Sequence, residues 1–200
     1  MFGKSLKSVL GGSFLLLMAS TSQARDISYD YVQGAYGSVT DSSLGVDIDA
    51  DAFSFGGSFS LSPNVAAVVG FSAADYERVQ GIEIDSSDFS FGIVGHQSIA
   101  PATDVYAGFS VVLADVEISD GFSTYTDDDT GNTITLGLRH MANESAELGF
   151  SFSRSDIADD TSNMIGINLL LHTDEKLSFG IGFSTGDDVD VLGFSVRINL

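Results

Sequence analysis

Three carboxylates in a row, Asp127-Asp128-Asp129, run directly into Thr130-Gly131-Asn132. Carboxylate, hydroxyl and amide oxygens around a glycine that lets the chain turn are the ligand types that Ca²⁺ takes. The run lacks the alternating ligands and the closing glutamate of an EF-hand loop, so Asp127, Asp128 and Asp129 are weak metal candidates. A solvated acidic loop explains them as well, with Ca²⁺ or Mg²⁺ held loosely at most. Asp159/Asp160 and Asp187/Asp188 repeat the pairing of acids. A hydrolytic site would want a histidine beside Asp or Ser among these acidic stretches. His96, His140 and His172 each stand beside a short connection instead. No catalytic residue is identified and no enzyme is expected. Gly180-Ile181-Gly182 carries two glycines of a dinucleotide loop but sits inside an alternating run with no helix after it, so no cofactor is expected. Asn143-Glu144-Ser145 is a glycosylation sequon and no more.

The remaining charges fall on elements whose pattern is plain. In VLGFSVRINL (191–200), Leu192, Phe194, Val196, Ile198 and Leu200 take alternate places, with Gly193, Ser195, Arg197 and Asn199 between them. Side chains of a strand alternate between its faces, so one face is wholly apolar. The same grammar recurs in AFSFGGSFSLS, DFSFGIVGH, DVYAGFSVVLA, ELGFSFS and KLSFGIGFS, and no helical period appears. Ten strands are predicted, at about 27–39, 50–62, 65–76, 84–97, 103–117, 132–142, 146–156, 163–172, 176–185 and 190–200. The alternation of GVDIDADA allows the second to begin near Val46. The first is the poorest, since Gln33 or Asp30 must face the wrong way unless a bulge intervenes.

The connections are of two kinds, and they alternate along the chain. SPN, IAPATD, ANES and TDE are short; SVTDSSLGVDID, ERVQGIEIDSSD, ISDGFSTYTDDDTGN, IADDTS and TGDDVD are acidic and mostly longer. An up-and-down meander then places short turns at one end and acidic loops at the other.

The chain has 28 acidic and 8 basic residues and a net charge of -20, which repels nucleic acid. It has no Cys, which excludes a disulfide scaffold. Lys4 and Lys7 precede a short apolar run that ends at Thr21-Ser22-Gln23-Ala24, the pattern of a cleaved secretory signal over 1–24. Residues 25–200 form the one remaining domain. After the signal no apolar run is long enough for a membrane helix.

A soluble β-sandwich also alternates, with its phenylalanines inside. The face opposite the phenylalanines argues against it. That face carries Gly and Ser where a wet strand face carries Thr, Lys and Glu. Small residues suit the crowded inside of a closed sheet, and strands of this length match a tilted crossing of the bilayer. The expected fold is all-β: a closed, antiparallel, up-and-down transmembrane β-barrel of about ten strands, eight being the alternative. Arg197 and Asn199 then point inward near the turn end of the last strand, and Asp30 stands at similar height on the first. An Asp30–Arg197 contact across the closing seam is expected, as is pairing of Arg139 with Glu147 across ANES, because a lumen favours paired charges. Arg154 falls on the apolar face near the acidic rim, within reach of lipid phosphate.

The whole of 25–200 resembles the small outer-membrane β-barrels of Gram-negative bacteria, the OmpA-like and porin-like group. ISYDYVQGAYG (27–37) and SPNVAAVVGFS (62–72) are similar to vesicle-associated barrels once described as quorum-sensing factors. The resemblance implies an outer-membrane location, with vesicles as a further place. It implies lipid and lipopolysaccharide as partners, and assembly machinery that reads the C-terminal strand. That family usually ends in Phe; this chain ends in Leu200 and keeps Gly193, Val196 and Ile198 of the terminal pattern. A monomer is expected. A surface-interaction role for the acidic loops is the first functional expectation. A narrow cation-preferring channel is the second, since ten strands lined by Gly and Ser leave more room than eight.

Overall fold

The computed structural model describes residues 29–200 except Leu44, Gln80, Pro101 and Asp159. The expected leader, the start of the first expected strand, Pro101 and Asp159 lie outside the described residues. Ten strands follow one another: β1 (Tyr31–Asp41), β2 (Ile48–Ser62), β3 (Val65–Val79), β4 (Ile82–Ala100), β5 (Thr103–Ser119), β6 (Thr124–Asn143), β7 (Ala146–Ile157), β8 (Asp160–His172), β9 (Leu177–Gly186) and β10 (Val189–Asn199). Each is antiparallel to the next, and β1 closes on β10 from Tyr31↔Asn199 to Asp41↔Val189. The alternative of eight strands is excluded.

Closure is what the alternation requires. Phe55, Phe91, Phe150, Ile167, Phe194 and their neighbours all face outward and exposed, while Ser58, Ser90, Ser151, Ser153 and Ser195 are buried inside. Lipid gives an outward apolar side chain its solvent but gives a free backbone N–H no partner, so a spanning sheet must have no edge.

The acidic connections are shorter than the sequence predicts, because the strands absorb them. ERVQGIEIDSSD is taken up by β3 as far as Val79 and by β4 from Ile82, and ISDGFSTYTDDDTGN shrinks to Asp120–Ser123. Asp127, Asp128 and Asp129 therefore lie in β6, opposite Val116, Asp115 and Ala114 of β5. Thr and Tyr at 124–126 favour extended chain, and a ladder with β5 satisfies backbone groups that a loop would leave to water. Gly81 and Gly121 turn these tips with φ of 87° and 82°, where a Cβ is strained.

The inside changes character along the axis. Toward the acidic end, Val39, Ile48, Tyr76, Ile84, Met164 and Val191 meet in an apolar cluster inside the barrel, with the Asp41 carboxylate buried near Tyr76. Below it lie Gly and Ser, and the turn end holds the charged groups described next. Glycine has a specific use here: a Cβ on Gly137 would strike the ring of Tyr106, its cross-strand partner, so Gly137 lets that ring lie against the wall.

The exterior assignment has a direct test. Phe55→Arg, in the middle of the outward face of β2, is expected to cost about 2–4 kcal/mol in a lipid bilayer. Ser54→Thr, which points inward, is expected to cost less. Urea unfolding in vesicles, followed by the change in gel mobility on boiling, measures both. Equal stability of Phe55→Arg and the parent would contradict a lipid-facing Phe55.

Candidate functional site

Apart from Asp41 and Asp88, buried farther up the barrel, the charged groups of the lumen gather at the turn end, where β4 to β10 and the chain entering β1 bring inward residues together. Arg139 from β6 and Glu147 from β7 flank the ANES turn two strand positions apart in height. The guanidinium Nε of Arg139 donates to Glu147 Oε1 at 2.8 Å, and the two residues are 1% and 0% exposed. Arg139 Nη1 reaches Tyr29 OH at 3.4 Å, and its guanidinium sits 5.7 Å from the Tyr29 ring centre. Tyr29 itself stacks on His96 of β4, with ring centres 3.6 Å apart. His172 Nε2 stands 3.5 Å from the other oxygen of Glu147, and its Nδ1 is 2.9 Å from Ser178 Oγ. A carboxylate buried this deeply needs a cation and donors on its oxygens, and it has both.

Across the seam the arrangement differs from expectation. Arg197 donates from Nε and Nη2 to Gln33 Oε1, at 2.8 and 2.6 Å, and packs 4.2 Å from the centre of the Tyr31 ring. Gln33 is the residue opposite Arg197 in the β1/β10 ladder. Asp30 precedes β1 and has the outward parity; its carboxylate accepts the Ser60 N–H at 2.7 Å, and its carbonyl accepts the Leu200 N–H. The pairing of Arg197 with Asp30 is thus corrected to pairing with Gln33: one residue of register turns Asp30 to the rim and Gln33 inward. A lumenal pocket of about 40 Å³ lies above this layer, lined by Tyr29, Tyr31, Ser58, Tyr106, Thr133 and Arg139. That is room for a few waters and no larger ligand.

The three histidines serve structure. His96 and His172 are fixed by the contacts above, and His140 Nδ1 lies 3.0 Å from Thr103 Oγ1 on the outer face of the turn end. His172 does stand between the Ser178 hydroxyl and the Glu147 carboxylate, but Ser178 is fully buried and Glu147 is already paired with Arg139, so that hydroxyl faces packed side chains and no open cleft.

The outer wall at the acidic end carries the other concentration of charge. Asp51 stands opposite Asp75, Asp75 opposite Asp85, and Asp85 opposite Glu117, so four strands present carboxylates in one outward row. One row nearer the membrane, Asp115 faces Asp128. Like charges directly opposite each other repel across a ladder, and water or cations must offset that. Asp127 and Asp129 take the opposite face of β6 from Asp128, which splits the triplet expected to act as one ligand set. Tyr125 OH donates to Asp127 Oδ2 at 3.2 Å. Among the described residues no group of three or more acids, histidines or cysteines is disposed to hold a metal ion. Arg154 is exposed near this rim and lies 3.7 Å from Asp156.

At the tip between β5 and β6, Asp120 Oδ1 accepts the N–H groups of Phe122 and Ser123, at 2.9 and 2.7 Å. Those bonds favour the charged form and hold the Asp120 carboxyl below the usual carboxylate range.

Two outcomes follow from this geometry. Glu147→Gln leaves the Arg139 guanidinium buried without its counter-charge and is expected to destabilise the barrel by about 3–5 kcal/mol in urea unfolding. Replacing both, as Arg139→Met with Glu147→Leu, is expected to cost much less; a double variant as unstable as the single would refute the pairing argument. At the tip, a depressed carboxyl contributes order that is full above its unfolded pKa and lost as pH falls through its folded value. The protection of the Phe122 and Ser123 amides, taken relative to the intrinsic exchange rate at each pH, is therefore expected to persist through the ordinary carboxylate range and to be lost only in stronger acid. Loss of that protection at neutral pH would contradict the turn.

Comparison with known proteins agrees with the architecture. Residues 12–172 match the family model of the outer membrane protein β-barrel domain. The search of curated proteins returns no match. Among solved structures, Neisserial surface protein A is similar over 86% of this chain and 98% of its own, at 14% identity and a TM-score of 0.51. The translocator domain of the autotransporter NalP from Neisseria meningitidis is similar over 88% of this chain and 90% of its own, at 9% identity and a TM-score of 0.54. At such identities the likeness shows the fold alone. A closed ten-stranded barrel with a phenylalanine-rich exterior, matched by the family model over most of its length, belongs to the outer-membrane β-barrel family.

Proposed function

We propose that this chain is a non-enzymatic surface protein: a sealed barrel in the outer membrane that holds an acidic β-wall out into water. The observation that carries the reading is the apolar cluster of Ile48, Tyr76, Met164, Val191 and their neighbours at the acidic end of the lumen. A conducting path would have to pass this cluster, whose side chains are apolar except for the Tyr76 hydroxyl and the Asp41 carboxylate near it, and such a constriction opposes the passage of hydrated ions. The channel reading is therefore the second one. It would need this cluster to part.

The acidic end faces outward in this reading, since small barrels keep short turns on the periplasmic side. The row of Asp51, Asp75, Asp85 and Glu117 then meets the phosphate layer of lipopolysaccharide. Ca²⁺ or Mg²⁺ shared loosely between the two sets of oxygens would relieve the repulsion on both sides. Assembly through the C-terminal strand, a monomeric state and release in vesicles belong to the same reading and rest on the family resemblance.

Planar-bilayer recording of the refolded chain is expected to show no single-channel steps, and protease added to intact cells is expected to cut at 120–123. Steps with cation preference would replace this reading with the channel. Protection of 120–123 on intact cells, with cleavage only after lysis, would reverse the orientation.

A further inference from the structure

The β5/β6 ladder runs without irregularity up to Ser119↔Thr124, but β7 begins to pair with β6 only at Gly131↔Ile157. From Thr124 to Thr130, β6 therefore has a strand on one side and, among the described residues, none on the other. Which backbone groups this leaves facing outward is fixed by parity. Met141 N–H donates to the Ala102 carbonyl at 2.9 Å, so the odd residues of β6 turn their backbone groups to β5. Thr124, Thr126 and Asp128 turn theirs the other way, to the open side.

This edge stands in water. Ile134, Leu136 and Leu138 mark the lipid-facing part of β6, and the outward residues above them are Asn132, Thr130 and Asp128. An open edge is forbidden in hydrocarbon but permitted here, where it is a template for another strand. It is about 20 Å long at the rise of an extended chain.

Its side chains choose the guest. A second copy laid antiparallel about Asp127 would set carboxylate against carboxylate, which is destabilising. Asp115, opposite Asp128, adds to the same field. A segment with lysine or arginine meets complementary charge instead. Beside the edge, Tyr125 is 60% exposed and Phe122 is 98% exposed. Phe122 rides on the turn that Asp120 ties down. Exposed aromatics beside a strand edge are the anchors that protein contacts favour.

We propose that the open edge of β6, Thr124–Thr130 with Phe122 and Tyr125 beside it, binds an extended basic segment of a partner protein by strand addition. The proposal deepens the surface-interaction reading and rests on it for its biological setting. Its physical content concerns the edge alone.

The probe is a labelled octapeptide alternating lysine and valine, titrated by fluorescence anisotropy against the full chain folded in detergent micelles. Saturable binding is expected. The glutamate–valine counterpart is expected not to bind. A lysine–valine peptide N-methylated at alternate residues, on whichever set faces the edge, is expected to lose binding. Thr126→Pro removes an edge-facing N–H without touching the β5 ladder and is expected to weaken binding about tenfold. Thr126→Val is expected to bind as the parent does. Should Thr126→Pro fail to show the heat-modifiable mobility of a folded barrel, Phe122→Ala with Tyr125→Ala serves in its place, again with weakening expected. Equal binding of both N-methylated forms would reduce the effect to charge attraction and overturn strand addition. So would absence of lysine–valine binding, or a dimer in sedimentation that the edge variants dissociate. Channel steps or a reversed orientation would remove the surface reading and leave the micelle titration unaffected, so the two failures are distinguishable.

Discussion

The solvent outside this barrel changes along every strand, and the sequence inverts where it does. In β2 the outward residues run Asp49, Asp51, then Phe53, Phe55; the inward residues run Ile48, Ala50, Ala52, then Ser54, Gly56. In β10, Asp190 gives way outward to Leu192 and Phe194, while Val189 and Val191 give way inward to Gly193 and Ser195. Above the boundary the wall is that of a water-soluble protein, acidic outside and apolar within. Below it the wall is inside out, because lipid is as apolar as a protein core and leaves nothing to be gained by hiding phenylalanine. One chain thus meets two solvents without a break in its hydrogen-bond ladder.

The inversion also decides what the lumen contains. The upper part can be stabilised by hydrophobic burial, since water surrounds it, and it holds an apolar cluster. The lower part has no such drive and must be filled by polar packing. There Gly and Ser make space for Tyr106 and Tyr31, and Arg139, Arg197, Glu147 and Gln33 neutralise or saturate one another. Such a layer contributes little net stability for the burial it requires. It fixes register instead, since a one-residue slip of β1 against β10 would move Gln33 away from Arg197 and turn Tyr31 into lipid.

Ten strands, their order and the outward phenylalanines were legible in the sequence because period-two alternation is a local signal. The Arg139–Glu147 geometry lay close to the surface of the text for the same reason: a short turn sets both residues on the inward face, two strand positions apart and within reach of each other. The seam was harder. Asp30 and Gln33 compete for the inside of one poor strand, and only the register with β10 decides between them. The apolar cluster was present in GVDIDADAFSF as an inversion of phase, but a reading that assigns one face to lipid along a whole strand passes over it. The acidic stretches misled in another way. Composition says loop for TYTDDDT, whereas β5 offers it a ladder and charge does not prevent an exposed strand from pairing.

Unequal strand length follows from the same two-solvent logic. β7, β9, β10 and β1 stop soon after the membrane boundary, while β4, β5 and β6 continue for 19, 17 and 20 residues in all. A wall that rises on one side only cannot close on itself, so height above the membrane creates an edge that closure below had removed. That edge would be a liability if it were apolar and flat. Threonine keeps it extended, aspartate keeps it from its own kind, and among the described residues no strand covers it. If the sole requirement were a stable barrel, β5 and β6 could end level with β7 and shed both the edge and the repulsion between Asp115 and Asp128. Their extension costs something that the membrane-embedded part does not need, so its physical account lies on the water side of the boundary, where the proposed strand addition would use it.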